Sequence, residues 1–400
     1  MSAKKLSDNL PADALGALAR LAGVMAKRAG KRTWIEIDSN AAKKNYKIFR
    51  GLLSPKTKLW AVVKSNAYGH GLVVFSKLAE KLGVDGFCVD SLVEGLRLRK
   101  EGIKKSILVL GPTLPALFSE AVRQNIIITI ANKESLLSLA GEKNPPQFHL
   151  KIDTGMHRQG FYSEDVPKVI KFIRNSKLEI RNSFRGFYTH FSSAKDINYP
   201  TYTEIQFKNF ERAATAFKKA GFNKLTRHCA ATGAALIDKK YHLDAVRIGI
   251  GLYGCWPSKE LEIQIPKIHL EPVLGWQTVI SDVKYIKAGE YVGYDLADRV
   301  FKDSRIAILP VGYWHGFPRS LSGVGEVLVS GRRVRVLGRV SMDLTIIDVQ
   351  DIKCDIGDVV TLIGKNIKEE ISAFEIAQKA GTVHYELLTR LNPLMERVLT

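Results

Sequence analysis

From residue 33 to about residue 255, short apolar runs alternate with longer segments that are apolar along one helical face. The runs fall at 58–63, 86–89, 107–110, 126–130, 148–152, 184–190, 224–229 and 246–250. Between them lie stretches such as Leu92-Val93-Glu94-Gly95-Leu96-Arg97-Leu98, whose spacing predicts a helix. Repeated strand-then-helix units argue for a parallel sheet. Eight such units in roughly 220 residues is the size of a TIM barrel. An open doubly wound sheet is the alternative, because periodicity alone does not close a barrel.

Past about residue 270 the texture changes. Strand-like runs at 277–285, 305–309, 326–329, 333–337, 344–349 and 359–363 follow one another without intervening helices, and only 371–380 reads as helical. Ser330-Gly331 between two of the runs predicts a hairpin turn. The expected fold class is α/β: an N-terminal TIM (β/α)8 barrel over 33–270, then a mostly β C-terminal domain over 271–400. Residues 1–32 form an N-terminal extension in which Leu15, Leu18, Leu21, Val24 and Met25 keep helical spacing. Arg20 interrupts that apolar face, which argues against a cleaved signal peptide.

Composition narrows the function classes. No apolar run reaches the roughly 18 residues of a membrane span. Sixty Lys and Arg against 40 Asp and Glu give a net charge of +20. That charge is spread along the chain and is not interleaved with aromatics as in single-strand binders, so nucleic acid is not the expected partner. The four cysteines, Cys88, Cys229, Cys255 and Cys354, are scattered, and no Cys/His cluster has metal spacing. Reduced thiols, no metal and a cytoplasmic location are expected.

The chemistry-bearing residues sit where barrel strands end. The run Leu59-Trp60-Ala61-Val62-Val63 delivers Lys64 to the rim on which barrel active sites are built. A desolvated lysine there can become a neutral amine and condense with an aldehyde. After the seventh and eighth runs come His228-Cys229-Ala230-Ala231-Thr232-Gly233 and Arg247-Ile248-Gly249-Ile250-Gly251. Loops at those positions are where barrels most often hold phosphate, and Thr232, Gly249 and Ile250 suit that task. With Tyr68 nearby to donate a hydroxyl, an amine and a phosphate cradle on one rim point to pyridoxal phosphate (PLP).

Six motifs in order closely resemble the alanine racemase family: AVVKSNAYGHG (61–71), KIDTGMHRQGF (151–161), FYTHFSSA (187–194), VRIGIGLYG (246–254), GRVSMD (338–343) and HYELLTR (384–390). The resemblance runs from about Thr33 to the C-terminus. It implies a PLP-dependent homodimer whose two active sites each draw on both subunits, interconverting L- and D-alanine and supplying D-alanine for peptidoglycan. A serine or broad-specificity amino-acid racemase is the alternative.

By this resemblance Lys64 matches the Schiff-base lysine and the base on the D face, and Tyr294 matches the partner-subunit base on the L face. Arg247 matches the arginine facing the pyridine nitrogen. Arg158 matches the residue at the cofactor's phenolic oxygen and the substrate carboxylate, and Lys151 a position that can be carbamylated. His190 resembles a residue near the cofactor ring, Tyr68 and Tyr385 the phosphate-binding tyrosines, and Met342 the partner residue whose backbone N–H meets the substrate carboxylate. Tyr313 resembles part of the entry channel, and Tyr385 with Met342 favours a methyl-sized substrate side chain. Two departures stand out: Ala231 replaces the usual Asn, and Tyr313-Trp314-His315 stands where the family usually reads Tyr-Ala-Asp.

Overall fold

The computed structural model describes residues 30–400. They divide into two compact units: Ser39–Val273, and residues 30–38 together with Leu274–Thr400. The helical reading around Leu15, Leu18 and Leu21 falls outside the described residues.

The first unit is a parallel barrel. Its strands are β2 (Lys58–Val62), β3 (Gly86–Val89), β4 (Ser106–Pro112), β5 (Ile127–Ile130), β6 (Phe148–Asp153), β8 (Phe184–Tyr188), β9 (Thr226–His228) and β10 (Ala245–Ile248). They are ordered β10-β2-β3-β4-β5-β6-β8-β9, with the two-residue β7 (Phe161–Tyr162) beside β6. Ala231 pairs in parallel with Arg247. The Arg247 N–H donates to the Ala230 carbonyl at 3.0 Å, which brings β9 and β10 together and nearly closes the ring. The open-sheet alternative is thereby excluded.

All eight strands coincide with apolar runs in the sequence because parallel strands are covered on both faces. Every residue of β6, for example, is buried. The covering helices bury one stripe each. Helix Ser39–Leu52 buries Ala41, Ala42, Asn45 and Phe49. Helix Val166–Asn175 buries Val166, Val169, Ile170 and Ile173.

In the second unit the main sheet runs β12-β15-β18-β17-β16-β19-β11-β1-β21, with β20 on β19. Its strands are β1 (Thr33–Ile37), β11 (Leu274–Val279), β12 (Asp282–Ile286), β15 (Ser304–Leu309), β16 (Glu326–Val329), β17 (Arg332–Leu337), β18 (Thr345–Asp348), β19 (Val359–Asn366), β20 (Glu369–Ile371) and β21 (Glu396–Leu399). A separate hairpin pairs β13 (Tyr291–Val292) with β14 (Asp298–Arg299). Ser330 and Gly331, with φ of 48° and 75°, join β16 to β17 in the two-residue turn expected there.

Two sequence expectations change. Residues 33–38, grouped with the barrel in the sequence, belong to the β unit: β1 pairs antiparallel with β11 and parallel with β21. The single run at 277–285 is two strands. Ile280 N–H donates to Asp358 and Ser281 N–H to Ile308, so the chain leaves one ladder and enters another.

Candidate active site

In the barrel unit, the residues singled out by sequence gather where the strands end. Lys64 follows β2 by two residues, and its Nζ lies 3.4 Å from Asp90 Oδ1. The next four residues, Ser65, Asn66, Ala67 and Tyr68, have φ of 55°, 56°, 53° and 51°. This is a left-handed turn built without glycine, a conformation that costs roughly 1–2 kcal/mol per residue. Such strain persists only where surrounding contacts over-determine it, and here they do. Glu94 accepts from the Ser65 N–H at 2.6 Å and, with its other oxygen, from the Asp90 N–H at 2.8 Å. Asn66 Oδ1 accepts from the Leu72 N–H and so starts the next helix. The His70 Nδ1 lies 3.1 Å and 3.0 Å from the carbonyls of Ala67 and Tyr68.

Opposite the turn's tyrosine is a glycine. A Cβ on Gly249 would stand 2.9 Å from the Tyr68 hydroxyl. Burial pushes the Tyr68 phenol up to about 12, so it remains a donor at neutral pH. Thr232 Oγ1 accepts from the Gly249 N–H at 3.2 Å and the Gly251 N–H at 3.4 Å, tying the loop after β9 to the loop after β10. Tyr68, Thr232 and Gly249 thus come together, with Ile250 next in the chain, as the candidate phosphate cradle. Ala231 has its place in the backbone bridge to Arg247.

Arg247 is 2% exposed. Its Nη2 donates to the carbonyls of Thr189 at 2.7 Å and Cys229 at 3.3 Å, and lies 3.4 Å from His190 Nδ1. Its Nη1 donates to the His228 carbonyl at 3.1 Å and to His228 Nδ1 at 2.7 Å. Because His228 Nδ1 accepts, His228 Nε2 carries the proton and points it at His149 Nδ1, 2.8 Å away. Burial and the Arg247 charge keep His228 far below the ordinary imidazole value. Burial likewise takes His149 down to about 3.

Lys151 is buried on β6, with Nζ 4.3 Å from the centre of the Tyr188 ring. Burial first, then the charges of Arg247 and Arg158, hold it well below the usual lysine range. Burial, then the charges of Lys151, Arg247, Arg158 and Lys64, do the same to His190. The charges of Arg247, Arg158 and Lys64 therefore bear on the same two buried side chains, Lys151 and His190. Arg158 itself is exposed, on a loop shaped by a residue that the sequence reading passed over. Asp153 Oδ1 accepts from the N–H groups of Gly155, Met156 and His157, and Oδ2 from that of Arg158, at 2.9–3.0 Å. Asp153-Thr154-Gly155 is a turn signal that could have found it.

In the β unit, Tyr294 follows the β13 hairpin strand and is 67% exposed. Asp295 and Leu296 after it also have positive φ. Asp295 Oδ2 lies 3.6 Å from Arg339 and 3.9 Å from Arg319. Tyr313 and Trp314 donate their N–H groups to the carbonyls of Ser341 and Met342, which pins the two segments together. His315 is buried, and its Nδ1 accepts from the Gly312 N–H at 3.2 Å. Tyr385 is the second residue of helix His384–Thr389 in this same unit, apart in the chain from the other tyrosine assigned to phosphate.

This cationic, glycine-lined rim suits a guest that carries a phosphate and a carbonyl. Among the described residues, no group of three or more His, Cys, Asp or Glu side chains is placed to hold a metal, and no helix is long and apolar enough to cross a membrane. The model of the alanine racemase N-terminal domain matches residues 37–257, and that of the C-terminal domain matches residues 273–399. The chain belongs to the alanine racemase family. Membership makes it an amino-acid racemase, an isomerase.

Similar proteins include the alanine racemase of Leptospira interrogans, 33% identical over 92% of this chain and 95% of the relative. That of Halothermothrix orenii is 37% identical over 93% and 98%. Among solved structures, the alanine racemase of Bacillus anthracis with bound L-Ala-P superposes with a TM-score of 0.85 at 33% identity, covering 92% of this chain and 95% of that one. That of Streptomyces lavendulae has a TM-score of 0.84 at 29% identity, covering 93% and 98%.

Proposed function

We propose that the chain is an alanine racemase that uses PLP and acts as a cytoplasmic homodimer, providing D-alanine for peptidoglycan. One observation carries the reading: a lysine before a strained, over-determined turn at a barrel rim that also carries Tyr68, Thr232, Gly249 and the cations Arg158 and Arg247. The fit to this cofactor is electrostatic as well as steric. Arg247 is a buried cation held by carbonyls and a neutral histidine, and Asp153 is occupied by four backbone N–H groups, so the site favours an anion.

Pyridoxal phosphate, when bound, supplies an electron-withdrawing ring that makes the substrate Cα–H acidic. The protein's residues do the rest. Tyr68, Thr232, Gly249 and Ile250 hold the phosphate, a role that the family resemblance also gives to Tyr385. Arg158 meets the phenolic oxygen and the substrate carboxylate, which the Met342 N–H of a second subunit also meets. The cation of Arg247 disfavours protonation of the pyridine nitrogen, since like charges repel. His190 packs by the ring, and Tyr313 lines the entrance. Lys64 Nζ takes or returns the Cα proton on one face, and the Tyr294 hydroxyl of the second subunit does so on the other. Support for a second subunit comes from exposed side chains of the β unit: Tyr294, Leu296, Phe301, Trp314 and Met342.

The test is direct. Full-length protein mixed with PLP should gain visible absorbance, and borohydride should fix the label on Lys64. The same sample should exchange the Cα proton of both D- and L-alanine in deuterated water, and Lys64→Ala should do neither. A label on another lysine would reject the assignment.

A further inference from the structure

Tyr253 ends the turn that begins after Gly249, packs against the tyrosine of the β2 turn, and has no part in the roles above. It is fully buried, and its hydroxyl donates to the Val62 carbonyl at 2.8 Å. Its ring centre lies 5.2 Å from that of Tyr68 and 4.4 Å from those of His70 and Phe75. The topology explains why a side chain is needed here. β10 pairs with β2 only as far as Ile248↔Ala61. Gly249 then turns the chain into the 3-10 turn Ile250–Tyr253, which completes the cradle. The end of β2 thereby outruns its neighbour, and the carbonyl of Val62 would lack a partner on that side. The Tyr253 phenol takes it over, two residues before Lys64, while its ring backs the tyrosine of the left-handed turn.

We propose that Tyr253 is a positioning residue that sets the spacing between the phosphate cradle and Lys64 Nζ, so that one cofactor engages both at once. The inference rests on the PLP reading. A ligand held at two points by a rigid frame binds far better than its separate contacts imply, because the second attachment is intramolecular. Loosening the frame should therefore weaken the two-point ligand more than a one-point ligand. PLP is the two-point ligand: its phosphate enters the cradle, and its aldehyde condenses with the Lys64 amine with loss of water. 4-Deoxypyridoxine phosphate, with a methyl in place of the aldehyde, keeps the phosphate and ring contacts but lacks the bond to Lys64, so across the cradle-to-lysine frame it is the one-point ligand.

The measurement is the ratio of the two dissociation constants for full-length apoenzyme, wild type against Tyr253→Phe. The ratio should shift roughly tenfold against PLP, with deoxypyridoxine phosphate affinity held within about twofold. General damage to the fold would weaken both ligands together, so an unchanged ratio overturns the proposal. Should Tyr253→Phe fail to fold by circular dichroism, Phe75→Leu loosens the same ring while sparing its hydroxyl. It must then shift the ratio at least about threefold, and no shift overturns the proposal. A wild-type protein that binds neither ligand sinks the cofactor reading, and this inference with it.

Discussion

Arg247 is a cation buried against three carbonyls, and its neighbours are imidazoles held neutral. That arrangement leaves a thermodynamic mark. Unfolded, each histidine binds a proton near pH 6.5. Folded, His149 resists protonation down to about 3, and burial depresses His190 and His228 in the same direction. Below pH 6.5 the unfolded chain therefore binds more protons than the folded one, so stability falls as pH falls. Above 6.5 the three contribute nothing. Each adds a slope of about 1.4 kcal/mol per pH unit within its window. Denaturant unfolding of the apoprotein at pH 7.0 and pH 5.0 measures the slope. His149→Asn, whose Oδ1 can accept where Nδ1 does, should make it shallower, and an identical slope would refute the account. Lys64 and Tyr68 stood out from their place at a strand end, and Arg247 only through the family motif that contains it. His149, Asp153 and Tyr253 were not legible. Each makes its contacts to residues distant in the chain or to backbone N–H groups, and neither leaves a periodic trace.

Among the elements, the β2 turn and the β10 turn depend on each other through one missing Cβ. Gly249 has φ −106° and ψ −101°, outside the α and β wells that a residue with a side chain favours, so alanine is strained in its own backbone as well. The added carbon would stand 2.9 Å from the Tyr68 hydroxyl and 3.5 Å from Val62 Cβ. Gly249→Ala should thus lower apoprotein melting and also raise the PLP dissociation constant roughly tenfold, about 1.4 kcal/mol. Equilibrium dialysis of the apoenzyme reads it, and wild-type affinity in the variant would show that the cradle does not use this gap. The barrel strands were legible because burial on both faces writes each as a bounded apolar run. β1 was not assigned correctly for the same reason. Thr-Trp-Ile-Glu-Ile reads as a strand wherever it pairs, and its partners β11 and β21 lie more than two hundred residues away.

At the scale of the whole molecule, the two residues proposed to flank the substrate belong to different compact units, Lys64 to the barrel unit and Tyr294 to the β unit. The proposed dimer makes a prediction that no single-chain site would share. In a closed two-fold assembly each site takes Lys64 from one subunit and Tyr294 from the other. Lys64→Ala and Tyr294→Phe homodimers should each be impaired in converting L- to D-alanine. Mixed and allowed to exchange subunits, they form heterodimers with one doubly altered site and one intact site. Random exchange of equal amounts makes half the dimers mixed, so recovery should approach about a quarter of wild-type activity per chain. The recovered activity should grow with the time course of subunit exchange and vanish if the subunits are cross-linked before mixing. If the mixture stays as weak as its parents after exchange is complete, both groups must come from one chain, and the shared-site architecture is wrong.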